Sequence, residues 1–304
     1  MRRFGKLILC LIAATPLVCL AQSLSATAPK AVLVTGSSTG IGRKITERLA
    51  ADGYFVYAGA RTDQDLKALG SIKNVQAVRL DVTKTADIDA AVETITKAGR
   101  GLYGLVNNAG VFTIANIPET KLEEFDLVMA VNVYGPWRIT RAFAPLIVAS
   151  KGRITNIGSV SGIVSGPGVS AYAMSKHAME AFTDSLAQEI APLGVQVSIV
   201  DPGSYNTDIV KNAMRRAGQT PKTDEHPRLK EPDEVAAAVE QALFEPNPKR
   251  RYLVVSDPRE AEGTIRTQIR HLVQLNEGQP YTYDRDALIK MLDEALAQAR
   301  PKTQ

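Results

Sequence analysis

With 304 residues, 45% apolar and 22% charged side chains, the chain is long enough to bury one large core and too apolar to be disordered. Its formal charge of +4 sets 36 Lys and Arg against 32 Asp and Glu, but Arg2, Arg3 and Lys6 supply three of the cations, leaving a near-neutral remainder that gives no reason to expect a nucleic-acid partner. Both cysteines, Cys10 and Cys19, fall in the first 21 residues, which excludes thiol catalysis and thiolate metal sites from the rest of the chain.

The basic flank precedes an apolar run from Leu7 to Leu20, followed by Ala21-Gln22-Ser23. Basic residues, a short apolar stretch and a small residue read as a signal peptide over residues 1–21. An uncleaved membrane anchor is the alternative, although the run is short for a span and carries Thr15 and Pro16. The expected location is therefore exported or membrane-associated, or cytoplasmic if this segment is not used.

Lys30-Ala31-Val32-Leu33-Val34 reads as a strand, followed by Thr35-Gly36-Ser37-Ser38-Thr39-Gly40-Ile41-Gly42. Ile45, Leu49 and Ala50 then share one face of a helix. Strand, glycine turn and helix form the setting of a dinucleotide site. Gly36 permits a tight turn, Gly40 lets backbone approach a phosphate, and Gly42 lets helix and strand pack closely. The helix N-terminus offers free N–H groups to a pyrophosphate. A purely structural glycine turn remains the alternative.

Further strands are predicted at Phe55–Ala58, Val75–Arg79, Gly104–Asn107, Arg153–Ile157 and Val195–Val200, with Tyr252–Val255 as a seventh. Helical segments between them predict a doubly wound parallel sheet with helices on both faces. Tyr172 and Lys176, four residues apart, share a helical face. A free phenol has a pKa near ~10, and a neighbouring ammonium favours the phenolate. The pair therefore reads as an acid/base unit, against the plainer reading of a half-buried helix face.

Together these motifs resemble the short-chain dehydrogenase/reductase family over about residues 30–255. The resemblance also rests on Asn107-Asn108-Ala109-Gly110, Asn132, Ser159 placed 13 residues before Tyr172, and Pro202-Gly203. It implies a single Rossmann domain at 30–255, a helical extension at 256–304, a small-molecule substrate and hydride transfer between a nicotinamide and a carbonyl or alcohol carbon. Homo-oligomerisation is also expected. Tyr172 is implied to pass the proton, Ser159 to hold the substrate oxygen, Lys176 to lower the Tyr172 pKa and hold the ribose, and Asn132 to maintain a water-linked proton path. The alternatives are an ST-turn for Ser159 and a helix bend for Asn132.

Thr35, Gly36, Ser38, Gly40, Ile41, Gly42, Arg61, Asp81, Val82, Asn108, Tyr172, Lys176, Pro202, Gly203 and Thr207 are implied to meet the cofactor. Asn108 is expected to be partly structural, Asp81 is alternatively a turn residue, and Thr207 alternatively a helix N-cap. Where NAD-preferring relatives carry an acidic residue, this chain has Ala60 followed by Arg61, which predicts NADP(H), with NAD possible if Arg61 only stacks on adenine. Tyr103–Gly110 and Ala181–Leu186 resemble the retinol and hydroxysteroid dehydrogenase branch, implying a lipophilic substrate, whereas the segment from Ser204 to Lys230 is polar. Two rival readings are a non-catalytic NADP-binding sensor or scaffold and a sugar-nucleotide epimerase. The first is countered by the presence of Asn132, Ser159, Tyr172 and Lys176 together, the second by the glycine spacing. Leu288, Met291, Leu292 and Leu296 are expected to pack on the core or on a partner subunit.

Overall fold

The computed structural model describes residues 29–220 and 229–299; the predicted signal peptide or anchor and part of the polar loop lie outside them. Seven strands run β1 (Ala31–Val34), β2 (Phe55–Ala60), β3 (Val75–Arg79), β4 (Gly104–Asn107), β5 (Arg153–Ile157), β6 (Gln196–Pro202) and β7 (Arg251–Val254). They form one parallel sheet in the order β3-β2-β1-β4-β5-β6-β7. The order reverses between β1 and β4, which opens a crevice at their carboxyl ends.

The helices are α1 (Gly40–Ala51), α2 (Asp63–Gly70), α3 (Thr85–Lys97), α4 (Leu122–Met129), α5 (Gly135–Ala149), α6 (Ser170–Ile190), α7 (Ile209–Arg216), α8 (Asp233–Phe244), α9 (Pro258–Asn276) and α10 (Arg285–Ala299). Neighbouring residues of a strand point to opposite faces, so Val32 and Leu33 enter two different cores. Val32 packs with Ile45 of α1 and Val235 of α8, and Leu33 with Ile88 of α3, Phe143 of α5 and Leu186 of α6. Helices thus cover both faces, and continuous apolar strands follow from burial on both sides.

One core also holds a line of amides. Asn107 Nδ2 donates to Asn156 Oδ1 at 2.9 Å and to Thr140 Oγ1 at 3.0 Å, and Asn156 Nδ2 donates to Thr183 Oγ1 at 2.8 Å. These bonds tie α5, β4, β5 and α6 together.

The extension departs from expectation. Asp257 caps α9 through its side chain, with Pro258 in the first turn. Yet Met291, Leu292 and Leu296 are 44%, 58% and 52% exposed, and α10 buries no residue. These side chains stay out of the core, which leaves the expected alternative of a partner subunit; Ile265, Ile269 and Leu272 of α9 are exposed as well. Among the described residues, no helix is long and apolar enough to cross a membrane.

Candidate active site

A cleft of about 1230 Å³ opens at the β1/β4 crevice. Its floor is the glycine turn. Gly36 and Gly40 have φ of +67° and +56°, the left-handed region that favours glycine. A Cβ on Gly42 would lie 2.2 Å from the Gly36 carbonyl oxygen and 2.3 Å from Asn108 Nδ2, so only glycine fits. Asn108 Nδ2 donates to the carbonyls of Thr35 and Gly36 at 2.8 and 3.0 Å. The Thr35 hydroxyl bonds the Val106 carbonyl and accepts from the N–H groups of Asn108 and Ala109. Thr35 is thus buried behind the turn, while Gly36, Ser38, Gly40, Ile41, Gly42 and Asn108 line the cleft.

At one end lie Arg61, Asp81 and Val82. The Arg61 guanidinium has no carboxylate within 4.0 Å among the described residues; Arg79, beside it, pairs with Asp63. Asp81 takes the N–H and hydroxyl of Thr83 through Oδ1 at 3.0 and 2.7 Å. Partial burial raises its pKa, but these bonds and the nearby Arg61 and Lys84 charges hold it below the ordinary carboxylate value. Asp81 therefore lines the cleft and makes a turn at once.

Tyr172 and Lys176 lie one turn apart on α6, with the Lys176 ammonium 5.6 Å from the Tyr172 ring centre. Lys176 Nζ donates to the Ile157 carbonyl at 2.8 Å. Ser159 follows β5, and its hydroxyl accepts from the Ser161 N–H at 3.1 Å. All three line the cleft, and Phe112 meets the Tyr172 ring edge-on at 4.6 Å between centres. Asn132 does not line it. It sits in a π-helical turn between α4 and α5, where its amide clamps both backbone groups of Val111 at 2.8 and 2.9 Å and reaches the Ser175 hydroxyl at 3.0 Å. The side-chain amide thus bonds backbone and the Ser175 hydroxyl at a bend between two helices. His177, beside Lys176, turns its ring to the Ala173 carbonyl.

Burial dominates the electrostatics of the Tyr172 and Lys176 pair. Burial pushes the Tyr172 phenol up to about 12, and the Ser159 hydroxyl opposes this only in part. Burial also pulls Lys176 down to about 8, against the Asp201 and Glu180 charges. Lys176 was expected to lower the Tyr172 pKa. In the protein alone burial is the larger cause at Tyr172, and the Lys176 ammonium donates to the Ile157 carbonyl.

Pro202 and Gly203 end β6 at the cleft, and Thr207 lies close enough to the glycine turn that a Cβ on Gly40 would come within 3.3 Å of it. Asp208, not Thr207, occupies the N-cap position of α7. Three contributors are not singled out by the sequence. Phe112 borders Tyr172. Glu260 of α9 accepts from the Ser204 N–H and hydroxyl. Asp201, 1% exposed, accepts the Ser159 N–H at 3.1 Å. Asp201 alone left a signal, as an acid inside an apolar strand.

Residues 30–218 match the family described as short chain dehydrogenase. This chain belongs to that family. Bovine D-beta-hydroxybutyrate dehydrogenase, a mitochondrial protein of Bos taurus, is 38% identical over 61% of the chain and 57% of the relative. Retinol dehydrogenase 5 of Mus musculus is 38% identical over 59% of the chain and 57% of the relative. The chain thus spans little more than half the length of these relatives. Among solved structures, a short chain dehydrogenase of Burkholderia cenocepacia in complex with NADP superposes with a TM-score of 0.67 at 25% identity, covering 84% of this chain and 99% of that one. Short-chain dehydrogenase membership accounts for the sheet order and for the glycine turn at its reversal.

Proposed function

We propose that this protein is an NADP(H)-preferring oxidoreductase acting on a carbonyl or alcohol, with Tyr172 as its acid/base. The observation that carries the reading is the common cleft: Ser159, Tyr172 and Lys176 form one wall above a glycine turn that no larger residue could replace. A dinucleotide suits this floor, because Thr39, Gly40 and Ile41 at the start of α1 line the cleft and the Thr39 side chain does not cap the helix, which leaves its first N–H groups for a phosphate. Gly36, Ser38, Gly40 and Ile41 would hold its phosphates, Arg61 a 2′-phosphate, and Pro202, Gly203 and Thr207 the nicotinamide end. When bound, the cofactor supplies or accepts the hydride.

The chain's own residues handle the proton and the charge. The raised Tyr172 phenol stays neutral and donates to a developing alkoxide in the direction of reduction. The Ser159 hydroxyl steadies the same oxygen. Lys176 contributes a buried ammonium beside them. Asn132 acts by fixing the segment after β4.

A lipophilic substrate suits the outer wall, where Phe112, Ile209, Val210, Met214 and Leu229 line the cleft. The retinol dehydrogenase relative supports this choice, and the hydroxybutyrate relative supports a smaller, charged one. NADPH oxidation measured over ketones and aldehydes, from small hydroxy-acid precursors to steroid-sized compounds, tests the reading; no turnover with any carbonyl would refute it. We infer homo-oligomerisation from exposed Tyr134 and Trp137 around the start of α5, to be checked by light scattering. The signal peptide over residues 1–21 stands as a proposal, tested by N-terminal sequencing of protein recovered from membrane and soluble fractions.

A further inference from the structure

Two carboxyl groups lie beneath the Ser159 loop, and the proposed chemistry uses neither. Asp201 Oδ1 accepts the Ser159 N–H at 3.1 Å, and a Cβ on Gly158 would come within 2.0 Å of that oxygen. Glu180 Oε1 is buried with no hydrogen-bond donor, and a Cβ on Gly162 would come within 3.3 Å of it. Gly158 and Gly162 thus flank Ser159 and make room for one carboxyl each. The other Glu180 oxygen accepts from Arg251 Nε of β7 at 2.9 Å, and Arg251 also pairs with Asp184 at 2.6 Å. A buried oxygen that faces a second carboxyl and finds no donor costs free energy unless a proton lies between them.

We propose that Asp201 is a protonated carboxylic acid donating to the Glu180 carboxylate, and that this pair is a positioning unit that fixes the Ser159 loop and holds a single negative charge near Lys176. No bond other than this shared hydrogen bond is made or broken. The charged groups facing Asp201 are Lys176 and Glu180, both from α6; Arg251 from β7 and Asp184 join through Glu180. Burial first, then the Glu180 charge and hydrogen bond, push Asp201 up to about 8, against the Ser159 N–H and Lys176. The positioning role rests on the oxidoreductase reading; the protonated pair does not.

The test therefore starts without substrate. Native Asp201 keeps a proton that the unfolded chain releases near its ordinary value of 3.8. This raised group contributes stability fully below that value and loses it as pH climbs towards about 8. Asp201→Asn carries a permanent donor for Glu180 and keeps an oxygen for the Ser159 N–H. Across pH 5–8, the melting temperature of D201N should rise relative to wild type, and the infrared carbonyl band of a protonated carboxyl should vanish at neutral pH. Parallel melting curves, or no such band in wild type, overturn the pair. If D201N does not fold, Glu180→Gln gives the same reading: removal of the facing charge should move the wild-type loss of melting temperature to lower pH, and an unmoved curve refutes the pair. In the NADPH-linked assay, D201N should displace the alkaline limb of the pH–rate profile. A uniform loss at all pH values would leave the proton pair standing and remove its positioning role.

Discussion

Glu260 of α9 grips Ser204. Its Oε1 accepts the Ser204 hydroxyl at 2.7 Å and the Ser204 N–H at 3.1 Å, and its Oε2 lies so near Gly203 that a Cβ there would approach to 2.3 Å. The extension thereby holds the segment that ends β6 at the cleft, a role its sequence does not announce.

Glu260→Ala should therefore loosen this segment. Losing charge-assisted hydrogen bonds at a partly exposed position costs about 1–2 kcal/mol, to be read as weaker NADPH binding by fluorescence titration. Unchanged affinity would confine Glu260 to stability.

Tyr172→Phe removes one oxygen and keeps the ring against Phe112. Turnover should fall ~10²–10⁴-fold, the scale of a positioned acid/base, while NADPH affinity holds. More than a tenth of wild-type activity remaining would exclude the phenol as the proton donor.

Arg61→Ala should weaken NADPH far more than NADH, since only the former carries a 2′-phosphate. The loss for one charge-assisted contact is about 1.5–3 kcal/mol. Equal losses in paired titrations would mean that Arg61 merely stacks.

Lys176 gives a second pH signature, in a window above that of Asp201. Its native value is pushed down to about 8 by burial, against 10.5 ordinarily. Between these values the unfolded chain binds more protons, so stability rises with pH across the window. Lys176→Gln lacks that gain, and its melting temperature should fall behind wild type from pH 8 to 10. A constant gap would contradict the desolvated ammonium.

Gly42→Ala drives a methyl into the Gly36 carbonyl and the Asn108 amide. Overpacking of this kind costs about 1–3 kcal/mol, and here it should also displace the turn. Thermal melts should show the loss, and NADPH titration should show a disproportionate drop.

The fold was legible because its signals are local. Strands buried on both faces read as short apolar runs, and the termini of β3, β4 and β5 agree with the predicted bounds. Tyr172 and Lys176 were legible because helical spacing alone makes them neighbours. What stayed hidden depends on distant pairing. Glu260 meets Ser204 across 56 residues, and Asp201 meets Ser159 across 42. The direction of the Tyr172 shift was hidden as well, because spacing reports proximity to Lys176 but not the depth of burial that raises the phenol. The reach of α10 past the core was equally unreadable, since its amphipathic pattern does not say whether a surface waits for it.

The buried amides of Asn107 and Asn156 act as a vernier. Apolar side chains forgive a small slip between neighbouring strands, whereas a slip of β5 along β4 would leave these amides without partners inside the core, a penalty of ~1–3 kcal/mol for each orphaned group. Asn156 stands three residues before Ser159, and its other bond ends on Thr183 of the helix that carries Tyr172. The same contacts that penalise a mispaired sheet thus calibrate how far Ser159 and Tyr172 stand apart.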